Sequence, residues 1–193
     1  MELIDARFSE LNELIGKFHT RAKGSIISAS ELIHKTFTDG GKLLLCGNGG
    51  SAADAQHFAA EFVNAFSRDI SRPGLPAISL VTDTSVLTSI SNDFSFENIF
   101  SRQIEAYGKS GDLLVIFTTS GTSTNCLRAA EQAKKCGMKV IAFTKENAQI
   151  IEYVDLAIEA PSTNTQHIQE CHILAYHVIT EIVENLLFIK DKK

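Results

Sequence analysis

The first 38 residues show a helical pattern of hydrophobic positions. Apolar side chains recur at spacings of three and four residues, at Ile4, Phe8, Leu11, Ile15 and Phe18. This spacing predicts a helix over 2–38, which Gly24 can divide into two pieces and which ends at 39–41. Because this apolar stripe precedes the first strand pattern, it needs a partner, either the rest of the domain or another subunit.

Short continuous apolar runs alternate with helical patterns in the rest of the chain. The runs predict buried strands at 42–46, 76–81, 113–118, 139–143 and 156–159. The helical patterns lie at 51–66, 84–91, 96–107, 123–136, 148–153 and 166–188. Strands that alternate with helices predict a parallel sheet covered on both faces. We therefore expect an α/β fold, a three-layer αβα sandwich around a five-stranded, doubly wound parallel sheet.

The chain reads as one domain. We see no internal repeat, low-complexity segment or linker in the sequence, and a length of 193 residues suits a single domain. We expect that domain to span 1–193. Within it, 1–38 is an N-terminal helical segment that packs on the domain and on a neighbouring subunit.

Charge and composition exclude several classes of partner. The net charge is −5 at pH 7, whereas a nucleic-acid-binding surface usually carries a basic excess. No run reaches the roughly 18 apolar residues that a membrane span needs, and the acidic N-terminus does not resemble a signal peptide. The four cysteines form no C-x-x-C pair. We expect reduced thiols, a cytoplasmic location, and neither a nucleic-acid nor a membrane partner.

Two stretches rich in glycine and hydroxyl groups follow the first and third predicted strands. They are 47–51, GNGGS, and 118–124, TTSGTST. Ligands of parallel sheets bind beyond the carboxyl ends of the strands. Glycine allows close approach of the backbone, and the helix that follows offers unpaired N–H groups to an anion. Helix capping is the alternative role for Ser and Thr, but a cap needs only one hydroxyl. The two turns therefore predict a phosphate site.

The first turn also fits a dinucleotide-binding pattern. Residues 47–52 match G-x-G-x-x-A. That fingerprint requires an acidic residue about 20 positions later, at the end of a strand. Asp69 is near that distance but lies in a predicted loop, and a second hydroxyl-rich turn is not part of the fingerprint. A nicotinamide enzyme is therefore a weaker alternative.

Imidazole and carboxylate groups gather on two predicted helices. His57 and Glu61 are four residues apart and share a helix face near the first turn. The last helix carries His167, Gln169, Glu170, His172 and His177. Glu and His suit the proton transfers of an aldose–ketose isomerase, and both are ordinary Zn²⁺ ligands. A surface salt bridge is the alternative for His57 and Glu61, and spacing alone does not choose between these roles.

Three stretches, in this order, resemble a known family. They are CGNGGSAADAQHFAAEF at 46–62, SISNDFSFENIFSRQIEAYGKSGDLLVIFTTSGTS at 89–123, and HIQECHILAYHVI at 167–179. The chain resembles the sugar isomerase (SIS) domain family, and more narrowly the phosphoheptose isomerases, over nearly its whole length. The resemblance implies interconversion of sedoheptulose 7-phosphate and D-glycero-D-manno-heptose 7-phosphate, which opens the bacterial pathway to activated heptose for lipopolysaccharide or capsule. It also implies one Zn²⁺ ion per subunit and a homotetramer with active sites between subunits.

The resemblance further implies roles for individual residues. Substrate contacts fall on Asn48, Gly49, Gly50, Ser51, Asn92 and Asp93. Contacts to the phosphate fall on Thr118, Thr119, Ser120 and Ser123. The Zn²⁺ ligands fall on His57, Glu61, Gln169 and His177, and Glu61 and Gln169 also contact the substrate. Glu61 and His177 form the acid–base pair, with Glu61 as the base at C1 and C2.

Helix geometry adds an expectation about the metal ligands. Gln169 and His177 are eight residues apart, which is about 12 Å along a continuous helix. One ion can reach both in one chain only if the side chains lean together. We therefore expect different subunits to contribute to each site.

Four positions depart from the family's usual pattern. Thr118 stands in place of a serine and keeps the hydroxyl, and Thr122 stands in place of an asparagine. Ala65 and His167 stand where arginines are common. Loss of arginine removes bidentate contacts to anions, so another phosphosugar substrate is one alternative. A non-catalytic SIS-domain adaptor that binds the replication initiator is a second alternative. That relative lacks the catalytic glutamate and histidine, which are present here as Glu61 and His177.

Overall fold

A computed structural model describes residues 1–189 and shows a five-stranded parallel sheet. The strands are β1 (Leu43–Gly47), β2 (Ala77–Ser79), β3 (Leu113–Phe117), β4 (Lys139–Lys145) and β5 (Leu156–Ala160). Their order in the sheet is β2-β1-β3-β4-β5, and each neighbouring pair is parallel. The winding direction changes between β1 and β3. The carboxyl ends of these two strands therefore flank the crevice in which open α/β sheets bind ligands.

Helices cover both faces of the sheet. They are α1 (Glu2–Thr38), α2 (Gly50–Val63), α3 (Thr84–Asp93), α4 (Ser101–Tyr107), α5 (Thr124–Lys135) and α6 (Thr165–Phe188), with 3₁₀ turns at Phe96–Asn98 and Gln149–Tyr153. One core contains α1, α2 and α6, and the other contains α3, α4 and α5. Leu43 and Leu45 of β1 point into the first core, whereas Leu44 and Cys46 point into the second. The predicted αβα sandwich is thus confirmed.

The continuous apolar runs have a simple cause in this sheet. Every residue of β1 and β3 is buried, because helices cover both faces of a parallel sheet and leave no polar side to a strand. The last four residues of the predicted domain, 190–193, lie outside the described part of the chain.

The predicted interruption of the first helix at Gly24 is wrong. Helix α1 is continuous from Glu2 to Thr38. Ala22 and Ala29 on either side of the glycine are buried in the core that α1 shares with α6. A glycine makes a helix about 1 kcal/mol less stable than an alanine would. Packing of the apolar face of α1 against the core stabilises the helix by more than this amount.

The predicted helix over 96–107 is also wrong as a single element. The chain forms a 3₁₀ turn at Phe96–Asn98 and begins α4 only at Ser101. Between them, Ile99 and Phe100 are both buried in the second core. Phe96 and Tyr107, which would complete the helical spacing, are exposed instead, so the apolar positions at 96–107 do not form one buried stripe. Within residues 1–189, no helix combines the length and the apolar character needed to cross a membrane.

Candidate active site

The turn between β1 and α2 depends on glycine. Gly49 has a φ of +58°, a region that side-chain-bearing residues seldom occupy. A Cβ atom on Gly47 would lie 2.5 Å from the backbone oxygen of Ser51, so the chain closes this tightly only without a side chain there. The turn therefore brings backbone to the carboxyl end of β1, as the sequence predicts.

The turn between β3 and α5 is shaped by its own hydroxyl groups. The Oγ1 atom of buried Thr118 accepts a hydrogen bond from the N–H of Gly121 at 3.2 Å. The Oγ atom of Ser120 accepts one from the N–H of Thr122 at 3.3 Å and lies 3.5 Å from the Oγ atom of Ser123. Ser120 and Thr122 are exposed. The turn thus presents hydroxyl groups to a ligand on a locally fixed backbone.

Both helices that follow these turns begin without a side-chain cap in the described structure. Gly49 precedes α2 and has no side chain, and Ser123 precedes α5 without using its hydroxyl as a cap. Capping therefore does not account for the run of hydroxyls. The positive ends of two helix dipoles face the crevice between β1 and β3, which favours an anion there.

A pair of amides joins the two turns. The Nδ2 atom of Asn48 donates to Oδ1 of Asn125 at 2.8 Å, and Nδ2 of Asn125 donates back to Oδ1 of Asn48 at 2.9 Å. The predicted substrate-binding residue Asn48 therefore also holds the turns in register. Asn125 was missed by sequence reasoning, because one amide in the first turn of a helix carries no distinctive spacing.

The amide of Gln169 lies against the first turn. A Cβ atom on Gly50 would collide with the side-chain amide of Gln169, so the absence of a side chain at position 50 leaves room for this contact. Gly50 precedes His57 by seven residues, or about 10 Å along α2. Gln169 therefore sits at the turn, two helical turns away from the level of His57.

His57, Glu61 and His177 form a compact cluster between α2 and α6. The Nε2 atom of His57 lies 2.9 Å from Oε1 of Glu61, as expected for residues four apart on one helix face. The rings of His57 and His177 have centroids 5.1 Å apart. One nitrogen or oxygen atom from each of the three residues lies within 4.8 Å of the others. The described part of one chain thus brings together three of the four predicted metal ligands.

The surroundings of the cluster alter two ionisation equilibria. Burial lowers the pKa of His177, the charge of His57 lowers it further, and Glu61 opposes both. His177 is therefore held toward its neutral form, which can accept a proton. Burial raises the pKa of Asp54, on the same face of α2 as His57, to about 6, and His57 opposes this shift.

The donor set of the cluster fits a divalent transition metal. Two imidazoles and a carboxylate are a common ligand set of catalytic zinc, which leaves a fourth position for water or substrate. The donor atoms lie within 4.8 Å of one another, so small side-chain movements would bring them around one ion.

The remaining predicted residues lie apart from the cluster. Asn92 and Asp93 are exposed in the last turn of α3, where the amide of Asn92 donates to Oδ1 of Asp93 at 2.9 Å. Neither side chain hydrogen-bonds to the two turns or to the histidines within residues 1–189. The ring of His167 is held between Glu170, at 2.7 Å, and Glu10, at 3.3 Å.

Sequence reasoning missed two further features of the cluster. The hydroxyl of Tyr176 lies 2.8 Å from Nδ1 of His57. Arg72 donates to the backbone oxygens of Glu61 at 2.7 Å and Phe62 at 2.8 Å, and forms an ion pair with buried Glu184. The sequence shows that the tyrosine is next to His177. It does not show that Arg72 pairs with Glu184, which lies 112 residues further along the chain.

Comparison with known proteins identifies similar sequences. The family model described as "SIS domain" matches residues 8–145. A phosphoheptose isomerase of Roseiflexus sp. (strain RS-1) is 52% identical over 164 residues, which cover 84% of this chain and 82% of the relative. A phosphoheptose isomerase of Thermodesulfovibrio yellowstonii is 51% identical over 164 residues, covering 84% and 81% respectively.

Solved structures agree with these sequence matches. A phosphoheptose isomerase from Neisseria gonorrhoeae superposes with a TM-score of 0.90 at 38% identity, covering 95% of this chain and 98% of that one. A phosphoheptose isomerase from Francisella tularensis superposes with a TM-score of 0.91 at 34% identity, covering 95% and 97%. The similarity therefore includes α6, which lies beyond the region matched by the family model.

Proposed function

The chain belongs to the SIS domain family, and within it to the phosphoheptose isomerases, and from this premise we propose that it interconverts sedoheptulose 7-phosphate and D-glycero-D-manno-heptose 7-phosphate. Family membership makes the chain an isomerase of a phosphosugar. The observation that carries the finer proposal is the cluster of His57, Glu61 and His177. It provides acid–base groups and metal ligands near two turns that suit a phosphosugar.

The turn from Thr118 to Ser123 is the proposed phosphate site. Its hydroxyls can donate to phosphate oxygens, and the open start of α5 adds a favourable dipole. Thr118, Thr119, Ser120 and Ser123 are the residues we assign to this contact. Thr122 is exposed in the same turn and keeps a hydroxyl in place of an amide.

The glycine turn is the proposed site for the sugar chain. Gly49, Gly50 and Ser51 bring backbone close to the ligand, and the Gln169 amide lies beside Gly50. A planar amide can both donate to and accept from sugar hydroxyls. We assign substrate contacts to these residues and to three polar side chains, Asn48, Asn92 and Asp93.

Glu61 and His177 are the proposed acid–base pair. Conversion of a ketose to an aldose moves one proton between C1 and C2 and another between the two oxygens. We assign the carbon proton to Glu61, through a cis-enediol, and the oxygen proton to His177. Support comes from the lowered pKa of His177, which keeps a neutral imidazole ready to accept a proton.

His57, Glu61 and His177 are the proposed ligands of one Zn²⁺ ion per subunit, with Gln169 as a fourth ligand. A bound Zn²⁺ ion would polarise the carbonyl and hydroxyl oxygens of the substrate. Because Gln169 lies at the level of Gly50 in its own chain, we assign the fourth ligand to a neighbouring subunit. This assignment requires an oligomer, and we propose a homotetramer with active sites between subunits.

The reaction has a proposed place in the cell. All four cysteines belong to the described residues and are free thiols, which suits the reducing cytoplasm. A heptose phosphate made there would be the first intermediate toward the activated heptose of lipopolysaccharide or capsule.

A substrate panel tests the proposed specificity. The protein is stripped of metal with a chelator, reloaded with Zn²⁺ and assayed with ketose phosphates of five, six and seven carbons. We expect kcat/KM for sedoheptulose 7-phosphate to exceed the others by about 10-fold or more. Preference for a shorter sugar would contradict the seven-carbon assignment and leave an isomerase of another phosphosugar.

The variant Ala65→Arg extends this test to a position that departs from the family pattern. Ala65 is half-buried just beyond α2, and arginine there would add a bidentate anion contact. If position 65 influences specificity, the variant changes the ratio of kcat/KM values between sugars. An unchanged ratio would show that position 65 does not set specificity.

A further inference from the structure

Tyr176 is a buried side chain directly beneath the proposed metal site. Its ring stacks on Phe58, with centroids 5.2 Å apart and planes 25° apart, and meets Phe117 edge-on at 5.9 Å. The side chain is fully buried, whereas the His57 side chain above it is 47% exposed. Packing on two phenylalanines therefore fixes the position of the tyrosine hydroxyl.

The hydroxyl of Tyr176 contacts the one ring nitrogen of His57 that Glu61 does not contact. Tyr176 Oη lies 2.8 Å from Nδ1 of His57, and Glu61 Oε1 lies 2.9 Å from Nε2. Both nitrogens of the ring thus have a partner. The imidazole cannot turn over without losing both contacts, and Nε2 stays directed toward Glu61 and His177.

A tyrosine hydroxyl can serve both neutral tautomers of His57. A neutral imidazole carries one N–H donor and one acceptor nitrogen. When Nε2–H donates to Glu61, Nδ1 accepts from the tyrosine O–H. When Nε2 binds a metal ion, Nδ1 carries the hydrogen and donates to the tyrosine oxygen. Phenylalanine can play neither part.

When Nδ1 of His57 donates to Tyr176, the hydroxyl hydrogen of the tyrosine is directed to a second acceptor. Among the described residues, the buried Oδ2 atom of Asp54 has no hydrogen-bond partner. Asp54 is three residues before His57 on the same face of α2, and is the acceptor that we assign to the tyrosine proton when Nδ1 donates.

We propose that Tyr176 is a positioning residue that holds His57 with Nε2 toward the metal position in both tautomers. Outer partners of this kind orient metal-bound histidines and raise metal affinity. Here the partner is a buried tyrosine on α6, next in sequence to the second histidine of the cluster. The inference rests on the proposed metal site and adds a residue that does not itself bind metal or substrate.

The variant Tyr176→Phe tests this role with a metal-binding measurement. It removes only the hydroxyl and keeps the ring that packs on Phe58. We expect the dissociation constant for Zn²⁺, measured by competition with a chromogenic chelator, to rise by about 10- to 100-fold. The matched control is Tyr107→Phe, which removes the hydroxyl of an exposed tyrosine at the end of α4 and should bind Zn²⁺ like the wild type. A dissociation constant within about threefold of the wild type for Tyr176→Phe would overturn the proposal.

Nitrogen-15 NMR of labelled histidine tests the same claim by observing the two ring nitrogens of His57 directly. The His57 signals are identified by their loss in His57→Gln. We expect the Zn²⁺-loaded wild type to show Nδ1–H and metal-bound Nε2. Without metal, we expect Tyr176→Phe to change the chemical shift of Nδ1, because Nδ1 loses its hydrogen-bond partner. Metal bound through Nδ1 in the wild type would overturn the proposal, as would the same Nδ1 chemical shift in both metal-free proteins.

The two measurements separate this inference from the metal site on which it rests. If the wild type binds Zn²⁺ and Tyr176→Phe binds it equally well, only the role of the tyrosine fails. If neither protein binds Zn²⁺, the metal site fails, and the Nδ1 chemical shift of metal-free His57 in the two proteins then decides whether the tyrosine positions the ring.

Discussion

Glu61 is the side chain on which the proposed proton transfer depends. The variant Glu61→Gln keeps the size of the side chain but replaces the carboxylate with an amide that cannot accept a proton from carbon. We expect kcat to fall by about 10²- to 10⁴-fold in steady-state assays at saturating Zn²⁺, with the fold unchanged by circular dichroism.

The control for this variant is Glu131→Gln, which makes the same change on the exposed face of α5 and should keep full activity. A Glu61→Gln enzyme within about threefold of the wild-type kcat would remove Glu61 from the role of base.

His172 makes stability depend on pH through its burial. The ring lies in the core beside Phe117 and Phe143, and burial lowers its pKa to about 4. In the unfolded chain the His172 imidazole becomes protonated near pH 6.5, whereas in the folded protein it does so only near pH 4. Between these two pH values the unfolded state therefore binds more protons than the folded state. The free energy of unfolding should therefore fall as the pH drops through this window, by roughly 3 kcal/mol in total.

Urea unfolding of the metal-free protein at several pH values measures this effect. The free energy of unfolding is plotted against pH for the wild type and for His172→Leu, and the slopes of the two plots are compared. The comparison is needed because the raised pKa of Asp54, about 6, changes the free energy of unfolding in the opposite direction over part of the same pH range in both proteins. Equal slopes in the two proteins would contradict the assignment to His172.

At the scale of the elements, a buried ion pair fastens the end of α2 to α6. The Nε atom of Arg72 donates to Oε1 of Glu184 at 2.6 Å, with both side chains at most 1% exposed. Glu184 also accepts from the backbone N–H groups of Phe66 at 3.1 Å and Ser67 at 3.0 Å. Arg72 donates to the carbonyl of Glu61, so the same network holds the turn of helix that bears the proposed base.

Removal of either charge should destabilise the protein. Arg72→Met leaves a buried carboxylate without its partner. We expect the free energy of unfolding, measured in urea, to fall by about 3–5 kcal/mol. Arg102→Met is the control, because its ion pair with Glu105 is exposed on α4 and exposed pairs contribute less than about 1 kcal/mol. Equal effects of the two substitutions would contradict the structural role of the buried pair.

The elements themselves could be predicted from the sequence largely because their burial is simple. Strands β1 and β3 are buried on both faces and read as continuous apolar runs. The failures lie where tertiary packing overrides local preference. Gly24 does not interrupt α1, and the helical pattern at 96–107 divides into a 3₁₀ turn and α4 with Ile99 and Phe100 buried between them.

At the scale of the whole molecule, the start of α1 carries an apolar stripe that residues 1–189 of its own chain leave uncovered. Leu14 and Phe18 are buried in the core. The same stripe continues to Phe8 and Ile4, which are 70% and 61% exposed. An apolar helix face of this kind suits a contact with a neighbouring subunit, and we place part of the proposed tetramer interface there.

Sedimentation equilibrium tests this interface. Phe8→Glu puts a charge on the stripe, and we expect it to shift the proposed tetramer to a smaller species because a buried unpaired charge is costly. Ser9→Glu adds the same charge at the next, exposed position of α1 and should leave the assembly intact. A wild-type monomer, or a tetramer unaffected by Phe8→Glu, would contradict this placement.

The candidate site was only partly predictable, for a reason that belongs to the whole fold. The pairing of His57 with Glu61 follows from helix spacing, and the glycine turn follows from residue type. The approach of His177 to His57, and of Tyr176 to the same ring, depends on how α6 packs against α2. A single sequence contains no spacing rule for such contacts between distant helices.

Solvent-isotope NMR tests the central claim most directly. The Zn²⁺-loaded protein is mixed with sedoheptulose 7-phosphate in D₂O, and the sugar signals are followed with time. Transfer of a carbon proton through Glu61 and an enediol predicts new aldoheptose 7-phosphate signals with deuterium at C2. Aldoheptose that forms with its C2 hydrogen wholly carried over from C1 would contradict the enediol route, and no aldoheptose at all would contradict the proposed substrate.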